Sequence, residues 1–223
     1  MDAIEIVRSP RARSMRLTLD RTTGQAKLVL PKRAALKPAL AWAEGKRAWL
    51  AEQRATLPLA APYVPGTVLT VDDAALTIVW REGRRRAVVR DGGTLWLEGP
   101  IESVPRRVEA WLKRMALDLL TEDTRHYAAA AGVEVARVAV GDPKGRWGSC
   151  ASSGVIRYSW RLVLAPSWVR RATVAHEVAH RVHMNHGPAF RALVATLYQA
   201  DPTPARAWLR DHGAALHWVG RSS

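Results

Sequence analysis

One cysteine, one phenylalanine and no apolar run of membrane length define what this 223-residue chain does without. A lone Cys150 cannot close an internal disulfide, which fits a reducing compartment. No stretch reaches the ~18 uncharged apolar residues that a membrane helix needs. The opening residues, MDAIEIVRSPRARSM, lack the apolar core of a secretory signal. Together these absences predict a cytoplasmic protein with no membrane partner. Acidic residues are scarce as well, 20 against 34 basic ones, for a formal charge of +14. Residues 1–98 and 99–223 each carry +7, so the charge is spread rather than gathered into a tail. Such a field attracts polyanions and allows weak nucleic-acid association, but scattered charge is poor material for a dedicated groove binder. The chain also lacks internal repeats, low-complexity segments and a Walker-type glycine loop.

What is present is enough apolar residue, 48%, to build a core. Strand patterning occupies Ile4–Val7, Met15–Leu19 and Ala26–Leu30, with a hairpin turn at Arg21–Gly24 and Pro31 closing the sheet. A single helix is expected from Pro38 to Thr56. After prolines 58, 62 and 65, short strands resume at Val68–Val71, Leu76–Trp80, Ala87–Arg90 and Thr94–Leu97. The run Arg84–Arg86 reads as a solvated cluster at a hairpin tip. Nothing in this half carries evident chemistry, and it reads as scaffold or substrate-side lid.

The longest helical pattern runs from Val104 to Ala131, with Ser103 as N-cap and Gly132 as the stop. Strands are expected at Val133–Val140 and Val155–Tyr158, then helices from a cap at Ser167, from Pro188 to Gln199 and from Pro202 to Asp211. The whole predicts an α+β protein, a strand-rich N-terminal region with one helix (1–98) followed by a second domain (99–223).

The chemistry lies in TVAHEVAHRVHMNHGPAF, Thr173–Phe190. His176 and His180, four residues apart, share one helical face, so their imidazoles can reach one ion with Glu177 beside them. An open catalytic zinc needs three protein ligands. His183 lies about 20° from His176 at ~100° per residue, but three ligands in line along one axis cannot form a tetrahedral corner. His186 is better placed, because Asn185 tolerates the left-handed conformation that ends a helix and Gly187-Pro188 restarts one. The implied cofactor is Zn2+ or another first-row divalent metal.

Three motifs in order, R-W-G-S-C at Arg146–Cys150, I-R-Y-S-W-R-L at Ile156–Leu162 and H-E-V-A-H…N-H-G-P-A-F, resemble the YgjP-like metallopeptidase family over essentially the whole chain. The resemblance implies a zincin-like (minimal metallopeptidase) fold for 99–223, metal ligands at His176, His180 and His186, and a catalytic Glu177. It also implies that Trp147, Gly148, Ser149, Cys150 and Arg161 surround the site. Ser159, Gly187 and Arg191 depart from the family pattern at asparagine, serine and tryptophan positions, and none of the three removes a ligand or the base. The same H-E-x-x-H-x5-H spacing occurs in SprT-related proteases and in metzincins. Metzincins need glycine where His183 stands and a downstream methionine turn, which a chain without methionine after Met184 does not supply.

These residues predict a zinc-dependent hydrolase acting on a peptide or protein, with Glu177 as general base. Arg146, Arg161, Tyr158 and His183 are candidates for the second electrophile, and Arg146 and Arg161 are assigned to catalysis with Glu177. Cys150 reads as a structural thiol. Arg146, Arg157, Arg161 and Arg181 leave an alternative, hydrolysis of a nucleotide phosphoanhydride, since guanidinium forks suit phosphate. A nucleic-acid-associated protease or a basic binding module with a structural metal is a second alternative.

Overall fold

The computed structural model describes residues 4–84 and 86–221, so the middle residue of the arginine run, Arg85, lies outside the described residues. Two compact units divide between Leu59 and Ala60.

In the first unit, strand β3 (Ala26–Pro31) lies between β1 (Glu5–Ser9), which it pairs in parallel, and β2 (Arg16–Leu19), which it pairs antiparallel. The alternation of β3 buries Ala26, Leu28 and Leu30 on one face. The expected single helix is two, α1 (Leu36–Glu44) and α2 (Arg47–Ala55). Gly45 caps the first, and glycine's poor helix propensity makes it the weak point of a continuous helix. Ala39, Ala43 and Leu50 complete this small core.

The second unit opens with a four-stranded sheet, order β4-β5-β7-β6, from β4 (Val68–Val71), β5 (Ala74–Arg81), β6 (Val89–Asp91) and β7 (Thr94–Glu98). Its inward residues Leu69, Val71, Leu76, Ile78, Leu95 and Leu97 share one core with α3 (Val104–Ala131). The expected boundary after Glu98 is therefore displaced to Leu59, because this sheet has no core apart from the helices that follow it. Helix α3 buries Val104, Val108, Leu112, Ala116, Leu120 and Thr124 at every fourth residue. It stops at Gly132, whose φ of 65° suits glycine. Ser103 does not cap α3 with its side chain; its hydroxyl donates to the carbonyl of Pro100.

A third sheet, β8 (Arg137–Gly141), β9 (Gly148–Cys150) and β10 (Val155–Ser159), has order β8-β10-β9, which leaves β9 at an edge. The buried 3-10 turn Trp160–Leu164 leads from β10 into α4 (Ser167–Ala179), and α5 (Pro188–Tyr198) and α6 (Thr203–Leu216) finish the unit. The architecture is α+β. Among the described residues no helix is long and apolar enough to cross a membrane.

Candidate metal centre

Helix α4 carries the H-E-x-x-H segment and is held from outside itself. Ser167 makes no side-chain cap; its amide donates instead to Asp73 Oδ1 at 3.0 Å. Asp72 and Asp73, at φ 50° and 62°, form the turn between β4 and β5, a conformation that aspartate tolerates better than most residues. Asp72 also pairs with Arg170, whose Nε donates to Asp123 on α3 at 2.8 Å. Arg170 is 5% exposed, so two carboxylates answer one buried cation.

Helix α4 ends at Ala179, and His180 is its C-cap residue. Between His180 and Gly187 no described residue has a positive φ, so the turn that returns His186 does not use the left-handed Asn185 expected from sequence. It nonetheless brings the three imidazoles together. Ring centroids of His176, His180 and His186 lie 4.7 to 5.1 Å apart. One ring nitrogen from each falls within 4.8 Å of the others, and His176 Nε2 lies 3.2 Å from His186 Nε2. The single phenylalanine, Phe190 on α5, packs against all three rings with centroids at 4.5 to 4.9 Å.

His180 Nδ1 lies 3.0 Å from the carbonyl oxygen of His183. A proton donated there leaves Nε2 as the free lone pair and sets the ring plane. His183 thus serves through its backbone, as a support to His180. Burial, the neighbouring His180 and His186 and the charge of Arg206 push the His176 imidazolium down to about 4. Burial also lowers His180. Both rings are neutral at pH 7, the state a metal ligand requires.

Glu177 is 6% exposed and accepts no hydrogen bond from the protein among the described residues. Burial raises its carboxyl to about 7, against an opposing pull from Arg146. It lines a cavity of about 250 Å³ together with Arg146, Trp147, Gly148, His176 and Arg206. Gly148 touches the Glu177 side chain directly: a Cβ added there would fall 2.5 Å from Oε1 and 2.6 Å from Cγ.

Of the sequence-predicted residues, the structure brings together His176, Glu177, His180, His186 and Arg146. It does not place Arg161 in this cavity. Arg161 is 7% exposed, pairs with Asp142 through two bonds of 2.7 and 3.2 Å, and donates to the carbonyls of Leu216 and Val219. Four of its five N–H donors brace the C-terminal end of α6 to the segment before β9, which corrects its assignment as a catalytic group. Tyr158 is buried with its hydroxyl 3.0 Å from Thr124 Oγ1, also away from the cavity. Arg181 is held by the carbonyls of Glu134 and Ser152. The half-buried Cys150 thiol, raised above its ordinary range mainly by burial, donates to its neighbour's carbonyl, consistent with a structural role. Arg206 was missed by sequence reasoning. A cation in the first turn of α6, where helix electrostatics favour an acid, was the available signal.

Three imidazoles converging on one point, with a buried carboxyl in the adjoining cavity wall, are the parts of a metal-dependent hydrolase. The chain belongs to the YgjP-like family: the model of its metallopeptidase domain matches residues 13–212. Comparison with curated proteins and with solved structures gave no match.

Proposed function

We propose that this chain is a zinc-dependent peptidase in which His176, His180 and His186 hold the ion and Glu177 is the general base. The observation that carries this reading is the convergence of three imidazole nitrogens within 4.8 Å beside a buried, unbonded carboxyl. The donor set fits the ion. Two nitrogens on one tetrahedral zinc at ~2.0–2.1 Å each stand ~3.3 Å apart, close to the 3.2 Å between His176 and His186. Zinc bound there supplies a Lewis acid that lowers the pKa of water towards ~7 and polarises a carbonyl.

The protein's own groups supply the rest. Glu177, buried beside the three imidazoles, would take a proton at a carboxylate oxygen and return it to the leaving amine. Phe190 packs against all three rings and restricts their planes. The edge of β9 offers backbone groups for an extended substrate to pair with. Of the four groups considered as the second electrophile, Arg146 is the one that lines the cavity with Glu177.

The test is metal content and hydrolysis of unfolded polypeptides by the wild type beside Glu177→Gln. The expected outcome is zinc in both and turnover in the wild type alone. Zinc displaced by another first-row metal in the isolated protein would change the cofactor and keep the reaction.

A second reading, phosphoanhydride hydrolysis in a nucleotide, is favoured by one observation: the guanidiniums of Arg146 and Arg206 both line the cavity. Phosphate release from nucleoside triphosphates that vanishes in Glu177→Gln would move the function there.

A further inference from the structure

Most buried or half-buried arginines of this unit are committed. Arg161, Arg170, Arg181 and Arg107 each hold carboxylates or carbonyls. Arg146 and Arg206 are exposed, and among the described residues neither guanidinium donates a hydrogen bond or makes an ion pair. Arg206 feels the charge of Asp201, but the two form no salt bridge. Both line the cavity that Glu177 and His176 also line. Arg206 stands in the first turn of α6, where a cation opposes the helix dipole, so helix stability does not account for it. Two uncommitted cations and the positive end of a helix therefore face one cavity beside the site.

The cavity has a size and a texture. At about 250 Å³ it is smaller than the ~300–1,000 Å³ of pockets that enclose a whole small ligand. Its floor is apolar, from Trp147, Ala172, Pro202, Ala205 and Leu209, and the two arginines are solvent-exposed residues. That combination suits a single residue with an aliphatic stem against the floor and a carboxylate near the guanidiniums.

We infer that this cavity is a carboxylate-recognising subsite, in which Arg146 and Arg206 pair with an acidic side chain or the terminal carboxylate of the peptide residue next to the scissile bond. The inference rests on the peptidase reading. It makes Arg206 a specificity-determining residue.

The experiment uses the zinc-loaded full chain and fluorogenic peptides in matched pairs, glutamate against glutamine at each position flanking the scissile bond. Each pair is made with a free and with an amidated C-terminus. The expected result is a kcat/KM about 10-fold higher for the carboxylate member, a modest factor because the pair is partly screened by solvent. The advantage should appear mainly in KM and shrink as salt rises. An advantage that disappears on amidation identifies the terminal carboxylate, and one that follows the glutamate identifies the side chain; either supports the subsite. Arg206→Glu should reverse the preference towards lysine at the same position, a gain that a misfolded variant cannot produce. Calorimetric titration of Glu177→Gln with the two members of each pair reads binding without turnover.

Equal kcat/KM for both members, or a preference that survives Arg206→Glu, overturns the subsite and leaves the peptidase standing. No cleavage of any peptide, together with phosphate release from nucleoside triphosphates, overturns both.

Discussion

Gly148 and Glu177 occupy the same space: the position of a Cβ on Gly148 lies 2.5 Å from one carboxylate oxygen of Glu177 and 2.6 Å from its Cγ. The edge strand β9 can approach helix α4 only because residue 148 has no side chain. Gly148→Ala must push the Glu177 carboxyl out of place, since the glutamate moves more easily than paired backbone. The expected outcome is a loss of at least ~10-fold in kcat with unchanged metal content, as small misplacement of a reacting group is costly. Kinetics beside metal analysis checks it, and wild-type turnover in this variant would show that the carboxyl position is uncritical.

Glu177→Gln keeps the shape of the side chain and removes the proton acceptor. We expect turnover to fall by ~10²–10⁴-fold, the usual worth of a general base, with three-histidine metal binding intact. His176→Ala or His180→Ala should lose both metal and activity. Chelation of the wild type should abolish activity and zinc should restore it.

Arg161→Met removes a cation that is 7% exposed and leaves Asp142 and the carbonyls of Leu216 and Val219 short of donors. Breaking a fully buried pair costs ~3–5 kcal/mol. Because the Asp142 side chain is 32% exposed and keeps Lys144 as a partner, about 2–3 kcal/mol is expected here. Chemical denaturation measures it. Arg146→Met should leave stability unchanged, because that guanidinium holds nothing in the folded chain.

Acid should unfold the protein in two stages. His217 is 2% exposed, stacked near Trp147, and burial with the charges of Arg161 and Lys144 lowers its imidazolium from 6.5 to about 4. Between those values the unfolded chain binds a proton that the folded chain refuses, so stability falls on acidification, by up to ~1.4 kcal/mol per pH unit for that group. His217→Gln should make the dependence of the urea midpoint between pH 6.5 and 4 shallower without abolishing it, because His176 and His180 refuse protons over the same range. A second loss follows lower down. Burial alone would raise Asp142, but hydrogen bonds from Arg161 and Lys144 outweigh it and hold the carboxyl at about 2. Its contribution is complete above 3.8 and disappears as pH falls towards 2. An unchanged slope in His217→Gln would show that the ring is not the proton acceptor.

Periodicity in the sequence located α3, expected from about Val104 to Ala131, because apolar residues recurring at three and four and a terminal glycine are local facts. His176, His180 and His186 were legible for the same reason: helix geometry and one turn relate them. What was not legible depends on partners distant in the chain. The start of the second unit at Ala60 reflects the packing of β4, β5 and β7 on α3. Arg161 and Arg146 stand in similar motifs, and only Asp142 and two C-terminal carbonyls distinguish the brace from the cavity residue. Ser167 reads as a cap by position, yet the capping oxygen comes from Asp73.

That last bond bears on how the chain matures during synthesis. The first amide of α4 is answered by a residue made 94 positions earlier, and Arg170 waits on Asp72 and Asp123 in the same way. A 13-residue helix is marginal alone. A ribosome therefore presents the histidines to a hairpin and a long helix that have already emerged, and the metal-binding geometry arises as the last segments dock. Fragments that carry the histidines without residues 60–131 should bind zinc weakly, because nothing would be there to start the helix.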